Sequence, residues 1–442
     1  ALPVAWDEGQ NGNVSSASIA ELLRGGLAAQ EAAVIRKSGD VDAALATAGK
    51  RIDADYAAPF LAHATMEPQN CTAHVTPDKV EIWVATQNPE AALATAAKAA
   101  GVPPDKVVMR RTMLGGGFGR RGAVQDYVHQ AVLIAKAVGQ PVKLLWTREE
   151  DVRHDFYRPA AMARFSAGLD SAGMPVAWRV RVTGPSIIAN LFPQRLAGGV
   201  DKSFANGFTD EMAYDVPNYE VGYAMRTTHV PVGFWRSVSH SQNGFFRESF
   251  IDEMAHAAGQ DPYHYRRKLL SKDPKRLAVL DAAAQKAGWD QPSAPGLSRG
   301  IALVESYGSL VAQVAEASVG GNGEVRVHRV VAAIDTGHVV NPEILRAQTE
   351  SGIVYGLSAA LYGAITIENG RAQQGNFDDY EMLRLADMPI VETAVVPSGG
   401  FWGGGGEPGV PPLAPALCNA IFAATGKRIR SLPLKGQDLK RA

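Results

Sequence analysis

Short apolar runs alternate with segments of helical period along most of this chain, which predicts a mixed fold of strands and helices. Residues 79–86 have strand character and run into Gln87-Asn88. Pro89 then opens a helix predicted over 90–100 and closed by Gly101, the usual order of proline first and glycine last. Residues 106–113 read as the next strand, and 123–138 carry apolar positions at helical spacing up to Gly139. A further strand at 142–146 leads into the polar turn Thr147-Arg148-Glu149-Glu150-Asp151. Later, 325–334 is strand-like, Asn341-Pro342 opens a helix through Leu361, and Pro412 opens a last one to Thr425. The stretch 184–247 is aromatic-rich with no clean period, and irregular stretches of this length tend to line sites. Pro292-Ser293-Ala294-Pro295-Gly296 is the best linker and suggests two domains, 1–290 and 291–442. No internal repeat is visible.

Two glycine clusters interrupt this pattern. Gly403-Gly404-Gly405-Gly406-Glu407-Pro408-Gly409-Val410-Pro411-Pro412 places one carboxylate between four glycines and a proline cluster. The glycines let backbone approach a ligand closely, and the prolines fix the chain on the other side. An exposed turn with an incidental acid is the plain reading. A second cluster far upstream, Gly115-Gly116-Gly117-Phe118-Gly119, tips the balance toward one chain wrapping one large ligand. Gly117-Phe118-Gly119-Arg120-Arg121-Gly122 also satisfies the dinucleotide-binding pattern between a strand and a helix, with Glu149 after the next strand. That acid falls late, and the phenylalanine and two arginines are bulky for positions that hug a pyrophosphate. No Lys-Ser or Lys-Thr pair follows the glycines, so a P-loop is excluded, and no serine sits in a nucleophile elbow, so a Ser-His-Asp hydrolase has no support.

Composition narrows the choice. The 442 residues are 46% hydrophobic and 20% charged, with a formal net charge of −1, which gives no footprint for nucleic acid. No apolar run approaches the length of a membrane span, and no targeting segment is visible. The opening Ala1-Leu2-Pro3-Val4-Ala5-Trp6-Asp7 reads like the interior of a longer polypeptide. Cys71 and Cys418 are the only cysteines and stand apart, which excludes a cysteine-ligated iron–sulfur cluster in this chain. The ten histidines form no ligand cluster, and His338, five residues ahead of Glu343 on a proline-containing turn, reads as structural. No protein-ligated metal site is expected.

Taken in order, Met66-Glu67-Pro68, Thr86-Gln87-Asn88-Pro89, Gly115-Gly116-Gly117-Phe118-Gly119-Arg120-Arg121, Asp335-Thr336-Gly337 with Asn341-Pro342, Gln348, and Gly406-Glu407-Pro408 resemble the molybdenum-binding large subunit of the xanthine oxidase family of molybdenum hydroxylases. The likeness is to the branch of isoquinoline oxidoreductase and membrane-linked aldehyde dehydrogenases, and it covers nearly the whole chain. It implies an α+β (mixed α/β) fold of two elongated molybdopterin-binding domains. It also implies a molybdenum–molybdopterin cofactor, in bacteria the cytosine dinucleotide form, whose dithiolene supplies the sulfur ligands, so no metal ligand is expected from this chain. Glycine loops suit that role, because their free N–H groups form concavities for anionic oxygens. By the resemblance, Gln87 donates to an oxygen ligand of the metal, Gly116, Gly117, Phe118 and Gly119 form the loop beside it, and Arg236 faces it from Phe234-Trp235-Arg236-Ser237. Gln348 contacts the pterin, Gly405 and Gly406 complete the cradle, and Glu407 matches the catalytic base of a hydroxylation whose oxygen comes from water.

The departures carry information too. Gly122 stands where xanthine-oxidising relatives hold a substrate-binding glutamate, and Val238 stands where one of two sandwiching phenylalanines falls, which argues against purine oxidation. An aldehyde or an N-heteroaromatic carbon remains. Trp235 and Val238 are assigned to the substrate pocket; Arg158 keeps the place of a pocket arginine, with a loop-bracing arginine as the equal alternative. The family's Met-Gly-Gln-Gly segment is absent, which suggests a separate N-terminal fragment or chain of the same subunit. The electrons need an outlet, so the resemblance implies a small [2Fe–2S] subunit, in membrane-linked forms a cytochrome c subunit, and a periplasmic location, with the cytoplasm as alternative. Two other classes stand beside this reading: a nicotinamide-dependent dehydrogenase using the Gly117–Gly122 loop, and a non-catalytic assembly module of the same shape.

Overall fold

The structure, a computed structural model, describes residues 5–209 and 214–440. Three mixed sheets organise them. A five-stranded sheet runs in the spatial order Ala33–Ser38, Asn218–Met225, Pro175–Gly184, Ala161–Leu169 and Lys50–Ala58, antiparallel throughout except for the parallel pair Pro175–Gly184 and Asn218–Met225. A four-stranded sheet follows the order Ser298–Ser306, Ser309–Val319, Val325–Asp335 and Ile390–Val395, with only the last pair parallel. The third, in the order Val107–Arg111, Val80–Val84, Asn70–Val75 and Val142–Leu145, carries the first glycine cluster at the exit of its edge strand.

This third sheet has its own core. Val80, Ile82 and Val84 point one way along their strand and meet the helices Pro89–Ala100 and Asp126–Val138. The first helix buries Ala92, Ala96 and Ala100, small residues at helical spacing that let it lie close on the strands. Asn88 caps it by accepting from the Ala91 amide at 3.1 Å, and Pro89 takes the first helical position. Asn341 caps Pro342–Leu361 in the same way, accepting from Glu343 and Ile344.

The other two sheets share one continuous core with the helices Val238–Ala257, Pro274–Ala287 and Leu413–Thr425, which therefore runs across the turn at 292–296. Helix Leu413–Thr425 lies directly on strand Ser298–Ser306 at Gly300. A Cβ there would stand 2.2 Å from the Ala416 carbonyl oxygen and 2.3 Å from the Ala420 amide. Backbone cannot yield as a side chain can, so Gly300→Ala is expected to lower unfolding free energy by about 3 kcal/mol, read from a denaturant melt.

Two sequence expectations require correction. The polar turn after 142–146 is a short helix, Arg148–Arg153. Thr147 caps it by accepting from the Glu150 amide at 3.2 Å, and three acids in its first turn complement the helix dipole. The stretch 184–247 is also less irregular than its pattern suggests, since it contains strand Asn218–Met225 and the start of helix Val238–Ala257. That helix is buried from Ser239 through Ala255 on every face, so it has no polar side to generate a period. Two of its polar residues find several partners in the interior: Glu248 accepts from Arg247, Arg266, Tyr214 and the Leu303 amide, and Asn243 donates to the Phe204 and Asn206 carbonyls.

Candidate active site

The glycine turn after Val107–Arg111 is built around one amide side chain. Gln87 Oε1 accepts from the Gly119 amide at 3.1 Å and the Arg121 amide at 3.3 Å, while the main-chain N–H of Gln87 donates to the Arg121 carbonyl at 3.1 Å. With its oxygen committed to backbone donors, Gln87 has its amide nitrogen left to offer the cavity. No side chain fits at the turn: a Cβ on Gly117 would stand 2.4 Å from Gln87 Oε1, and one on Gly119, where φ is +113°, would stand 1.6 Å from the Phe234 carbonyl oxygen. Glu67 anchors the start of the loop by accepting from the Gly115 amide at 2.7 Å, and its carboxylate pairs with Arg121 at 2.9 Å. Phe118 itself adopts φ +52°, an uncommon conformation for an aromatic residue and a mark of a constrained loop. Its ring stacks on Tyr355 at 4.3 Å, and Tyr355 stacks in turn on Trp235 at 4.7 Å.

The second glycine cluster is fixed from the opposite side. Arg236 Nε donates to the Gly406 carbonyl at 2.8 Å, Nη1 to Ser351 Oγ at 2.9 Å, and Nη2 to Gln348 Oε1 at 3.1 Å. Burial draws its pKa down. Ser237 Oγ donates to the Glu407 carbonyl at 2.7 Å, Ser309 Oγ to the Gly404 carbonyl at 2.7 Å, and Gln313 Nε2 to the Gly409 carbonyl at 2.7 Å. The amide of Gly403 reaches the Thr336 carbonyl at 2.9 Å, which ties the strap to the Asp335-Thr336-Gly337 corner. The backbone of Glu407 is thus held on both sides of its residue, and the side chain is left alone. Its Oε2 is buried and has no hydrogen-bond partner, a costly arrangement unless something else fills the space before it.

These segments enclose a cavity of about 390 Å3. Ten of the residues singled out in the sequence line it: Gln87, Gly117, Phe118, Gly119, Trp235, Arg236, Val238, Gln348, Gly406 and Glu407. Gly116 and Gly405 shape the two loops from one residue behind the lining, Gly116 at φ +100° and Gly405 against Leu345. Arg158 does not reach the cavity. It is 3% exposed, donates to the Pro59 carbonyl at 2.8 Å, and lies 5.6 Å from the centre of the Trp235 ring, with burial drawing its pKa down to about 10. Sequence reasoning missed Leu114, Phe234 and Ser351, which also line the space. Ser351 had a signal, since it follows Gln348 by one helical turn. A neighbouring cavity of about 630 Å3, largely apolar, shares Phe118 and Ser351 with the first.

The lining chemistry suits a ligand that brings its own metal ligands. It holds no thiol or imidazole, and among the described residues no group of three histidine, cysteine or acidic side chains converges anywhere. What it does offer is two amides, a guanidinium, a glycine turn at Gly117 and Gly119 where no Cβ could stand, the open backbone of Gly406, and one partnerless carboxylate oxygen. A pterin carrying molybdenum fits that set. A dinucleotide at the Gly117–Gly122 loop does not, because four of the loop's six amides are used internally: Gly119 and Arg121 on Gln87, Arg120 on the Gly117 carbonyl, and Gly122 on the Gly119 carbonyl.

Comparison with known proteins agrees with the geometry. A family model for the molybdopterin cofactor-binding domain matches residues 27–270, and a second model of that description matches residues 279–389. The isoquinoline 1-oxidoreductase subunit beta of Brevundimonas diminuta is 33% identical over 405 residues, covering 89% of this chain and 51% of that protein. The membrane-bound aldehyde dehydrogenase of Gluconacetobacter polyoxogenes is 31% identical, covering 100% of this chain and 60% of that protein. The chain therefore spans little more than half the length of these relatives. Quinoline 2-oxidoreductase from Pseudomonas putida 86 has the same fold at a TM-score of 0.79 and 14% identity, over 91% of this chain and 77% of that one. By sequence and by fold, this chain belongs to the molybdopterin cofactor-binding family, that of the molybdenum-binding large subunits of the xanthine oxidase type.

Proposed function

We propose that the chain is the catalytic subunit of a molybdenum hydroxylase that oxidises an aldehyde or an N-heteroaromatic carbon, with the oxygen atom drawn from water. The observation that carries this is Glu407, a carboxylate on a doubly held backbone whose Oε2 is buried without a partner in a cavity of glycine turns and amides. The chemistry supplied by the bound cofactor is acceptance of two electrons and activation of water. The chain's own part is to hold and to move a proton. Gln87 and Gln348 would hold the cofactor through amide N–H groups, because the oxygens of both are already taken by protein donors. The backbone of Gly117–Gly119 and Gly405–Gly406 would approach it closely, as only glycine allows. Glu407 Oε2 would take the proton released as the new carbon–oxygen bond forms, the work of a general base within reach of its proton. Phe118, Phe234, Trp235 and Val238 wall the space and limit water around that carboxylate. Val238 leaves more room than an aromatic side chain there, which suits substrates simpler than a purine.

The cofactor is proposed in its cytosine dinucleotide form. Electrons are proposed to leave to a [2Fe–2S] partner subunit and onward to a cytochrome c subunit, in a periplasmic assembly that also includes an N-terminal fragment or chain of this subunit. The division into first and second cofactor-binding domains is proposed to lie near residue 290. No helix among the described residues is long and apolar enough to cross a membrane. Elemental analysis of the assembly purified from its native host tests the reading. Near-stoichiometric molybdenum, with iron on a co-purifying chain and no binding of NAD in an absorbance titration, is the expected result. An intact assembly without molybdenum would instead favour a non-catalytic module.

A further inference from the structure

Beneath the cavity lies a buried ionic cluster that the chemistry above does not use. His63, Asp155 and Arg120 are each 3% exposed or less. The Asp155 carboxylate accepts from the His63 amide at 2.7 Å, lies 2.9 Å from His63 Nδ1, and pairs with Arg120 Nε at 3.1 Å. Burial pushes the Asp155 carboxyl up, but His63 and Arg120 outweigh it and hold the group below its ordinary range, so it is an acceptor. The other ring nitrogen, His63 Nε2, lies 3.0 Å from the Phe234 carbonyl oxygen, which can only accept. Both ring nitrogens therefore face oxygen acceptors, one on each side of the imidazole.

The Phe234 carbonyl is the one seated against Gly119, and Phe234 precedes Arg236 by two residues. The same short segment holds the aromatic stack: the Ala62 carbonyl accepts from Trp235 Nε1 at 3.1 Å, and the His63 carbonyl accepts from the Tyr355 hydroxyl at 2.8 Å. We propose that His63 is a positioning residue, whose ring, held by the Asp155 carboxylate that Arg120 also pairs, pins the Phe234 carbonyl into the glycine turn and so sets Phe118, Arg236 and, through Gly406, Glu407. The proposal deepens the functional reading and rests on it for its catalytic consequence, though not for its structural one.

The test compares His63→Leu, which removes both ring nitrogens, with His63→Gln, which keeps a donor within reach of the Phe234 carbonyl, in the complete assembly. For His63→Leu the expected result is a fall in kcat of about 10²-fold with KM changed by no more than about threefold, because the reacting groups are displaced rather than lost. His63→Gln recovers most of that loss. Independently of cofactor, amide hydrogen exchange at Gly119 and Arg121 speeds by at least about tenfold in His63→Leu and stays near wild type in His63→Gln, since exchange reports local opening. If His63→Leu does not accumulate, His63→Asn keeps the Asp155 side, loses the reach to Phe234, and is expected to behave as His63→Leu does. A leucine or asparagine variant with wild-type kcat and wild-type exchange would overturn the proposal, as would a glutamine variant as impaired as leucine. A wild-type assembly without molybdenum would sink the functional reading, while the exchange comparison would still decide the positioning role.

Discussion

Glu407→Gln is expected to lower turnover by about 10²- to 10⁴-fold, the usual share of a general base, while molybdenum content and melting temperature stay at wild-type values. The substitution keeps the shape of the side chain and removes its capacity to accept a proton. Ordinarily such a change also breaks native hydrogen bonds, which confuses the result. Here Oε2 has no protein partner to lose. The strap is held through main-chain oxygens instead, Gly406 by Arg236 and Glu407 by Ser237, and neither bond involves the carboxylate. A loss of activity with the cofactor in place therefore reads the proton acceptor itself. A glutamine variant that turns over normally would remove Glu407 from the mechanism.

The second large effect is expected at Gly119, and there the cofactor should be lost. A methyl group on Gly119 would stand 1.6 Å from the Phe234 carbonyl oxygen and 3.3 Å from His63 Nε2, on a backbone at φ +113°. The steric and conformational terms together predict a destabilisation of about 3 kcal/mol or more. The damage reaches both walls at once, because the Gly119 amide also bonds Gln87 while Phe234 leads into Arg236. Gly139→Ala is a useful control, since its φ of +70° carries strain but no atom lies within 4 Å. That variant is expected to cost only about 1 kcal/mol and to keep its molybdenum. Melting temperature and metal content of the two variants check the contrast. Equal behaviour of Gly119→Ala and Gly139→Ala would mean that the close approach of Phe234 to the turn does not matter.

The parts of the fold that could be read along the chain are those where local chemistry decides the outcome. Asn88 and Asn341 cap their helices as their sequence context suggests, and both glycine clusters form turns facing one cavity. Helix Val238–Ala257 could not be read, because it is surrounded by protein and its arginine, glutamate and asparagine side chains point into the interior rather than to water. The same limit hid His63 and Asp155, far apart in sequence and joined only by tertiary contact. Arg158 shows the limit of motif position: of its two readings, pocket arginine and bracing arginine, the geometry fits the second, behind Trp235. Pattern identifies residues whose neighbours are local, and it loses those whose partners come from another layer of the fold.

The most direct measurement of the central claim is an anomalous difference map recorded across the molybdenum K-edge from crystals of the native assembly. The account predicts a single strong peak for this chain inside the cavity between Gln87 and Glu407, beside the Gly117–Gly119 turn. A peak elsewhere on the chain, or a fully occupied cofactor with Glu407 turned away from it, would contradict the account.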